Sequence, residues 1–165
     1  MATVTYRLEL FVTDESFYPA VGTVEKFNSD NAGYDLKVVA DVPVLSVATL
    51  VPLGVRARMQ RVTTYFFGYS TKEDCHFTLE PRSSIYKTSF MMANGRGIID
   101  KTYRGMLMAP MVSVGAKEEQ KCIEAGTRLF QVVAPGLGPI TEVVYVDGLP
   151  DTARGEGGFG STGTK

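Results

Sequence analysis

The sequence predicts an all-β protein, a sandwich or jelly roll, that finishes in a flexible Gly-rich arm. Three observations predict it. Val, Leu, Thr and aromatic residues gather in short runs, clusters of Gly, Pro, Asn and Asp separate the runs, and only one stretch has helix formers in a row. Many short strands with turn signals between them favour packed β-layers over alternating βαβ units. At 165 residues, 44% of them apolar, the chain is of a size for one domain with a sizeable core.

Taken in order, "TVTYRLELFV" from Thr3 alternates polar and apolar residues, the pattern of a half-buried strand. "ATLVPLGVRARM" from Ala48 reads as a second strand. "TTYFFGYSTKED" (Thr63 to Asp74) is aromatic and then polar, as in a long hairpin arm or a partner-binding loop. "HFTLEP", "GMLMAPMVSV", "TRLFQVVAP" and "ITEVVYVDGL" supply further strands. "GAKEEQKCIEAG" (Gly115 to Gly126) holds the one helix-like run, closed by Gly at both ends. From Pro150 the composition turns Gly-rich and polar. The expected division is a β-domain over 1–149 and a mobile arm over 150–165.

Composition excludes several classes. A formal net charge of -1 argues against a nucleic-acid binder. Cys75 and Cys122 form no CxxC pair and read as reduced thiols, and His76 is the sole histidine, so a zinc site is not expected. No stretch reaches the ~18 apolar residues of a membrane span, and the N-terminus lacks a signal-peptide pattern. A cytoplasmic location is expected, and a nuclear one is compatible with the same features.

The tail "RGEGGFGSTGTK" (Arg154 to Lys165) satisfies G-x-G-x-x-G through Gly155, Gly157 and Gly160. That fingerprint means a dinucleotide site only between a strand and a helix, and the sequence stops five residues later. Gly158 to Gly163 has phosphate-loop spacing, but Thr164-Lys165 follows in the wrong order. The contents still suit a lid over a nucleotide triphosphate. Arg154 can grip phosphate, glycines bring backbone N–H groups close to an anion, Ser161 and Thr162 add hydroxyl donors, and Phe159 offers a face to a base.

Four further stretches fit the same ligand. "NAGYDL" places Asp35 at a Gly-containing turn before a strand, and "PRSSI" puts Arg82, Ser83 and Ser84 just after one. "NGRGIIDKTYRG" reads as a hairpin carrying Asp100 and Tyr103, and "GTRLFQ" opens a strand with Arg128 and Gln131. Asp100 follows two large aliphatics, so partial shielding from water is expected, as for a paired structural ion or a general base.

Together and in this order, "AGYDL", "PRSS", "GIIDKTYRG", "GTRLFQVV" and "RGEGGFGSTG" resemble the five motifs of the trimeric dUTP pyrophosphatase (dUTPase) family. The resemblance covers Asn31 to the end. It implies a jelly-roll-like β-barrel, a homotrimer whose active sites are shared between subunits, and Mg2+-assisted hydrolysis of dUTP to dUMP and pyrophosphate. That reaction limits uracil incorporation into DNA and supplies dUMP for dTMP synthesis.

By motif position, Asp100 resembles the base that activates water against the α-phosphorus. Tyr103 resembles the residue that packs on the deoxyribose, and Asn94 with the backbone through Gly97 and Ile98 the uracil reader. Arg82, Ser83, Ser84 and Gln131 resemble the phosphate-binding residues, and Asp35 the carboxylate that steadies Mg2+ through water. Arg154, Gly160, Ser161 and Thr162 resemble ligands of the terminal phosphate, with Phe159 stacking on uracil. The chemistry agrees, since phosphoryl transfer needs positioning and charge neutralisation, and an Asp base needs no His.

Ser84 stands where the family usually has Gly, which bears on the loop near the phosphates. The related dCTP deaminases favour Arg-Ser-Ser, but deamination needs a carboxylate soon after the third motif, and "MLMAPMVSV" carries no acid. A non-catalytic binding protein of the same family would not need Asp100, Tyr103 and the full arm.

Overall fold

The structure is a computed structural model that describes residues 1–27, 30–114 and 121–158. Among these it has thirteen strands and two short 3-10 turns. The main sheet is built on β1 (Thr3–Val12) and the long β5 (Thr49–Thr64), antiparallel from Thr3↔Thr64 to Val12↔Val55. β13 (Ile140–Val146) lies parallel to β1 on its far edge, and β2 (Val24–Lys26) follows β13. On the other edge of β5, its first half pairs with β10 (Met106–Ser113) and its second half with β6 (Ser70–Cys75). β8 (Phe90–Met92) continues beyond β10.

A second sheet runs β3 (Gly33–Leu36), β12 (Phe130–Val133), β7 (Phe77–Pro81), β9 (Gly97–Ile99). β4 (Val42–Val44) and β11 (Lys121–Ile123) form a small third. The expected all-β class is found, and the layering is consistent with a jelly roll. The pairings leave open sheets; among the described residues no ring of strands closes into a barrel.

Alternation along β1 sends Tyr6, Leu8 and Leu10 into the core. They join Leu53, Val55, Leu107, Met111 and Tyr145 of the main sheet and Leu36, Leu79 and Phe130 of the second. Each such side chain gains about 1.5–3 kcal/mol by leaving water. That gain, not pairing alone, holds strands as short as β8 in place, where Met92 is buried. On the other face of β1, Glu9 is buried with Arg58 at 3.1 Å and Arg7 at 3.3 Å.

Gly54 lets β5 change partners along one edge. The pairing with β10 slips there, from Met106↔Arg56 to Met108↔Pro52. Gly54 has φ +65°, and a Cβ on it would lie 2.4 Å from Val39 Cγ1. A bulge at this point re-aims the strand, and only glycine fits it.

Two local expectations are corrected. The described end of the helix-like run, Lys121–Ile123, is strand β11, paired through Cys122↔Pro43; tertiary pairing overrides local propensity. Residues 115–120 lie outside the described set. The third motif is not a hairpin either, because β8 pairs with β10 and β9 with β7, so Ala93 to Arg96 crosses between sheets. The aromatic stretch does form a hairpin arm, from the end of β5 into β6, with Phe66 and Phe67 exposed at its tip. Among the described residues no helix is long and apolar enough to cross a membrane.

Candidate active site

The expected site residues fall into two separate clefts. The first, of about 190 Å³, is lined by Asn94, Gly97, Ile98, Asp100, Tyr103 and Arg154 together with Leu79 and residues of β10. Pairing of β9 with β7, Leu79↔Gly97 and Phe77↔Ile99, sets Asp100 one residue past the strand. Tyr103 N–H donates to Asp100 O at 2.9 Å and closes the turn that follows.

Tyr103 is fixed on several sides. Its ring is buried and its hydroxyl donates to Met106 O at 2.9 Å. A Cβ on Gly105 would come within 2.4 Å of that hydroxyl, so glycine there makes room for the ring. The Arg154 guanidinium lies over the ring at 5.8 Å from its centroid, close enough for a cation–π contact. Burial raises the Tyr103 pKa above the ordinary phenol value, with the Arg154 charge opposing the rise. The hydroxyl therefore stays protonated as a donor.

Asp100 is half-buried, as expected for an acid after two aliphatics. Its Oδ2 pairs with Arg154 Nη1, and its Oδ1 lies 3.3 Å from His76 Nδ1. Arg154 is itself held by Nε donating to Gly157 O at 2.9 Å. His76 was not among the expected site residues. It stands just before β7, and only the β7–β9 register carries it to the residue after β9.

The start of the C-terminal segment lies against the body. Arg104, only 6% exposed, donates to Pro150 O at 2.9 Å, to Lys101 O at 2.8 Å and to Asp74 Oδ2 at 3.2 Å. Its backbone N–H donates to Gly155 O at 2.8 Å. Thr152 donates to Thr102 O, and Glu156 pairs with Arg56. Arg104 is a second residue that sequence reading left out. A positive charge between a Tyr and a Gly gives no sign in sequence that it is buried. Phe159, Gly160, Ser161 and Thr162 lie outside the described residues.

The second cleft, of about 590 Å³, gathers Asp35, Arg82, Ser83, Arg128 and Gln131 beside Asn31 and Gly33. Asp35 sits within β3 rather than at a turn before it, opposite Gln131 of β12. Arg82 Nε lies 2.8 Å from Asp35 Oδ1 and Arg128 Nη1 lies 3.5 Å from Oδ2. Arg82 is braced by its N–H on Leu129 O at 2.8 Å and by Nη1 on Arg128 O at 2.9 Å. A Cβ on Gly33 would lie 2.3 Å from Gln131 Oε1, so glycine is needed for the Gln side chain to lie there. Two guanidiniums, a hydroxyl and an amide suit a polyanion.

Ser83 opens the 3-10 turn Ser83–Lys87 and is exposed. Ser84 follows it without a positive φ, so serine in place of glycine imposes no backbone strain; its side chain lines neither cleft. Within one chain, then, Asp100, Tyr103, Asn94, Gly97, Ile98 and Arg154 are brought together, and Asp35, Arg82, Ser83 and Gln131 are brought together elsewhere.

No group of three His, Cys, Asp or Glu among the described residues could cage a metal ion. Asp35 brings a single carboxylate to the second cleft. That fits a hydrated hard cation held largely by water and phosphate oxygens, not a caged one.

Comparison with known proteins places the chain in a family. A dUTPase family model matches residues 23–163. The deoxyuridine 5'-triphosphate nucleotidohydrolase of Wolinella succinogenes is 36% identical over 135 residues, covering 80% of each chain. That of Xylella fastidiosa (strain M12) is 32% identical over the full length of both. The crystal structure of dUTPase from Streptococcus mutans superposes with TM-score 0.53 at 22% identity, covering 87% of this chain and 98% of that one, and so shares the fold. With a family model spanning most of the sequence and a full-length relative above 30% identity, the chain belongs to the dUTPase family.

Proposed function

We propose that the chain hydrolyses dUTP to dUMP and pyrophosphate, with Asp100 as the base that takes a proton from the attacking water. The chain is a dUTP diphosphatase. The observation that carries the mechanistic reading is the placement of Asp100. It stands half-buried at a cleft bounded by the backbone of β9 and the ring of Tyr103, in contact with Arg154 of the C-terminal segment. The β9 backbone offers a donor and an acceptor to a base edge, Tyr103 fills the space beside the sugar, and Asp100 then faces the phosphate nearest the sugar.

Arg82, Arg128, Ser83 and Gln131 bind the phosphates, and Asp35 is the carboxylate that would hold hydrated Mg2+. When bound, Mg2+ neutralises phosphate charge. Arg154 leaves Asp100 for the terminal phosphate, which frees Oδ2 to accept a proton. The phosphate-binding residues lie in a cleft of their own, which supports a homotrimer in which one copy's Asp100 cleft meets another copy's phosphate cleft. Phe159, Gly160, Ser161 and Thr162 close over the substrate. The reaction keeps dUTP low, limits uracil in DNA and supplies dUMP for dTMP synthesis.

The test is Asp100→Asn. It is expected to lower kcat by at least about a hundredfold while dUTP still binds, because the change removes a proton acceptor and little contact area. Steady-state turnover and binding of dUTP to the variant check this. Turnover near the wild-type rate would remove Asp100 from the role.

A further inference from the structure

His76 is the one histidine of the chain, and the reaction as described gives it no part. It stands between β6 and β7 with its side chain 60% exposed. Among the described residues its Nδ1 has two polar neighbours: Lys101 donates a backbone N–H to it at 3.2 Å, and Asp100 Oδ1 lies 3.3 Å away. The two contacts make opposite demands. Accepting from Lys101 needs the Nδ1 lone pair, with the ring proton on Nε2. Donating to a carboxylate needs a proton on Nδ1. One nitrogen cannot satisfy both, so protonation decides, and an imidazole changes charge between about pH 5 and 8.

We infer that His76 is a positioning residue for Asp100 that sets the strength of the carboxylate as a base. The inference rests on the reading of Asp100 as that base. The neutral ring accepts from Lys101 and holds the turn that carries Asp100, with no donor aimed at Oδ1. The protonated ring releases Lys101 N–H and donates to Oδ1 in a charge-assisted bond. Lys101 is exposed, so water meets its freed N–H. The carboxylate is then stabilised and one of its oxygens is engaged, so it draws a proton from water less well. Arg154 holds the other oxygen in the resting chain.

Other charged groups lie near the ring among the described residues, and Lys101, whose N–H meets Nδ1, is exposed to solvent. Glu80 of β7 and Arg96, which share the cleft beside His76, pair with each other at 2.7 Å. The Pro135–Leu137 turn across that cleft brings no charge. Asp74 is tied to Arg58 and Arg104. The Cys75 thiol, next in the chain, is pushed up to about 11 by burial and stays neutral. Asp100 is the carboxylate that the ring itself contacts.

Two measurements test this. In the first, dUTP turnover by wild type and His76→Gln is followed from about pH 5.5 to about pH 8.5. Glutamine keeps a donor and an acceptor but carries no charge, and protonation of the substrate is common to both proteins. The ratio of kcat at high pH to kcat at low pH is expected to be about two- to fivefold smaller in the variant, as for a partly exposed charge pair. In the second, the ring nitrogens of the single histidine are titrated by NMR in wild type and in Asp100→Asn. The ring is expected to bind its proton about two- to fivefold more weakly in that variant. An unmoved pH profile, or an unmoved ring titration, overturns the inference. Near-normal turnover by Asp100→Asn would instead remove the reading of Asp100 as base, and the inference with it. An inactive Asp100→Asn with an unmoved His76→Gln profile removes the inference alone.

Discussion

Tyr103 is held by residues that flank it closely in sequence and by one far from it. Met106 O accepts the hydrogen bond of its hydroxyl, Gly105 leaves room for its ring, and Arg154 of the C-terminal segment lies over its face. The ring is therefore rigid as well as large, which is what steric rejection of a 2'-hydroxyl requires. Tyr103→Ala is expected to lower the preference for dUTP over UTP by about tenfold or more. It should also lower stability by about 3–5 kcal/mol, because a buried ring is lost. Tyr103→Phe keeps the ring and removes one hydrogen bond, so selectivity should hold while stability falls by about 1 kcal/mol. Kinetics with both nucleotides and thermal melts check the pair of variants. Unchanged selectivity in the alanine variant would assign sugar reading to another residue.

At the scale of elements, the segment from Pro150 to Gly158 is clasped to the loop after β9. Arg104 is the clasp, with a buried guanidinium on Pro150 O and a backbone N–H on Gly155 O. Two truncations separate its functions. Removing 159–165 is expected to lower activity strongly and leave the melting temperature nearly unchanged. Removing 150–165 takes away two of the acceptors of Arg104 as well. It should lower stability by about 1–3 kcal/mol, since a buried donor without its acceptor is costly. For a chain of this size that is a fall of roughly 2–12 °C in Tm. Calorimetry of both forms decides; equal melting temperatures would show that the clasp contributes no stability.

Across the whole molecule, the Asp100 cleft and the Asp35 cleft share no residue. The second sheet explains this. β3 and β12 carry Asp35 and Gln131 on one side, and β9 leads to Asp100 on the other, with β7 between them. If copies of the chain combine their clefts, two different inactive variants should complement each other. Asp100→Asn and Arg82→Ala, each inactive alone, are expected to regain activity when refolded as a mixture. Random assembly pairs an intact base cleft with an intact phosphate cleft at about one half times one half, or a quarter, of the sites. An assay of the mixture against each variant alone checks this, and no recovery would argue for sites completed within one chain.

The sequence by itself determined the β class and the positions of most of the longer strands. These depend on period-two alternation and on short runs of residue types, which are local properties. It also determined that Asp100 would be half-buried, because the two aliphatics before it belong to a strand end. The tertiary structure alone decided where partners fall. Lys121–Ile123 became a strand because Val42–Val44 offers an edge, against the local helix preference. Phe90–Met92 and Gly97–Ile99 went to different sheets, which no nearest-neighbour pattern encodes. Register brought His76 to Asp100, and a buried pocket for Arg104 brought Pro150 and Gly155 back to the body. Such contacts join residues about 20 to 80 positions apart. They follow from how sheets pair and pack once the core has formed, so the residues themselves carry no local mark of them.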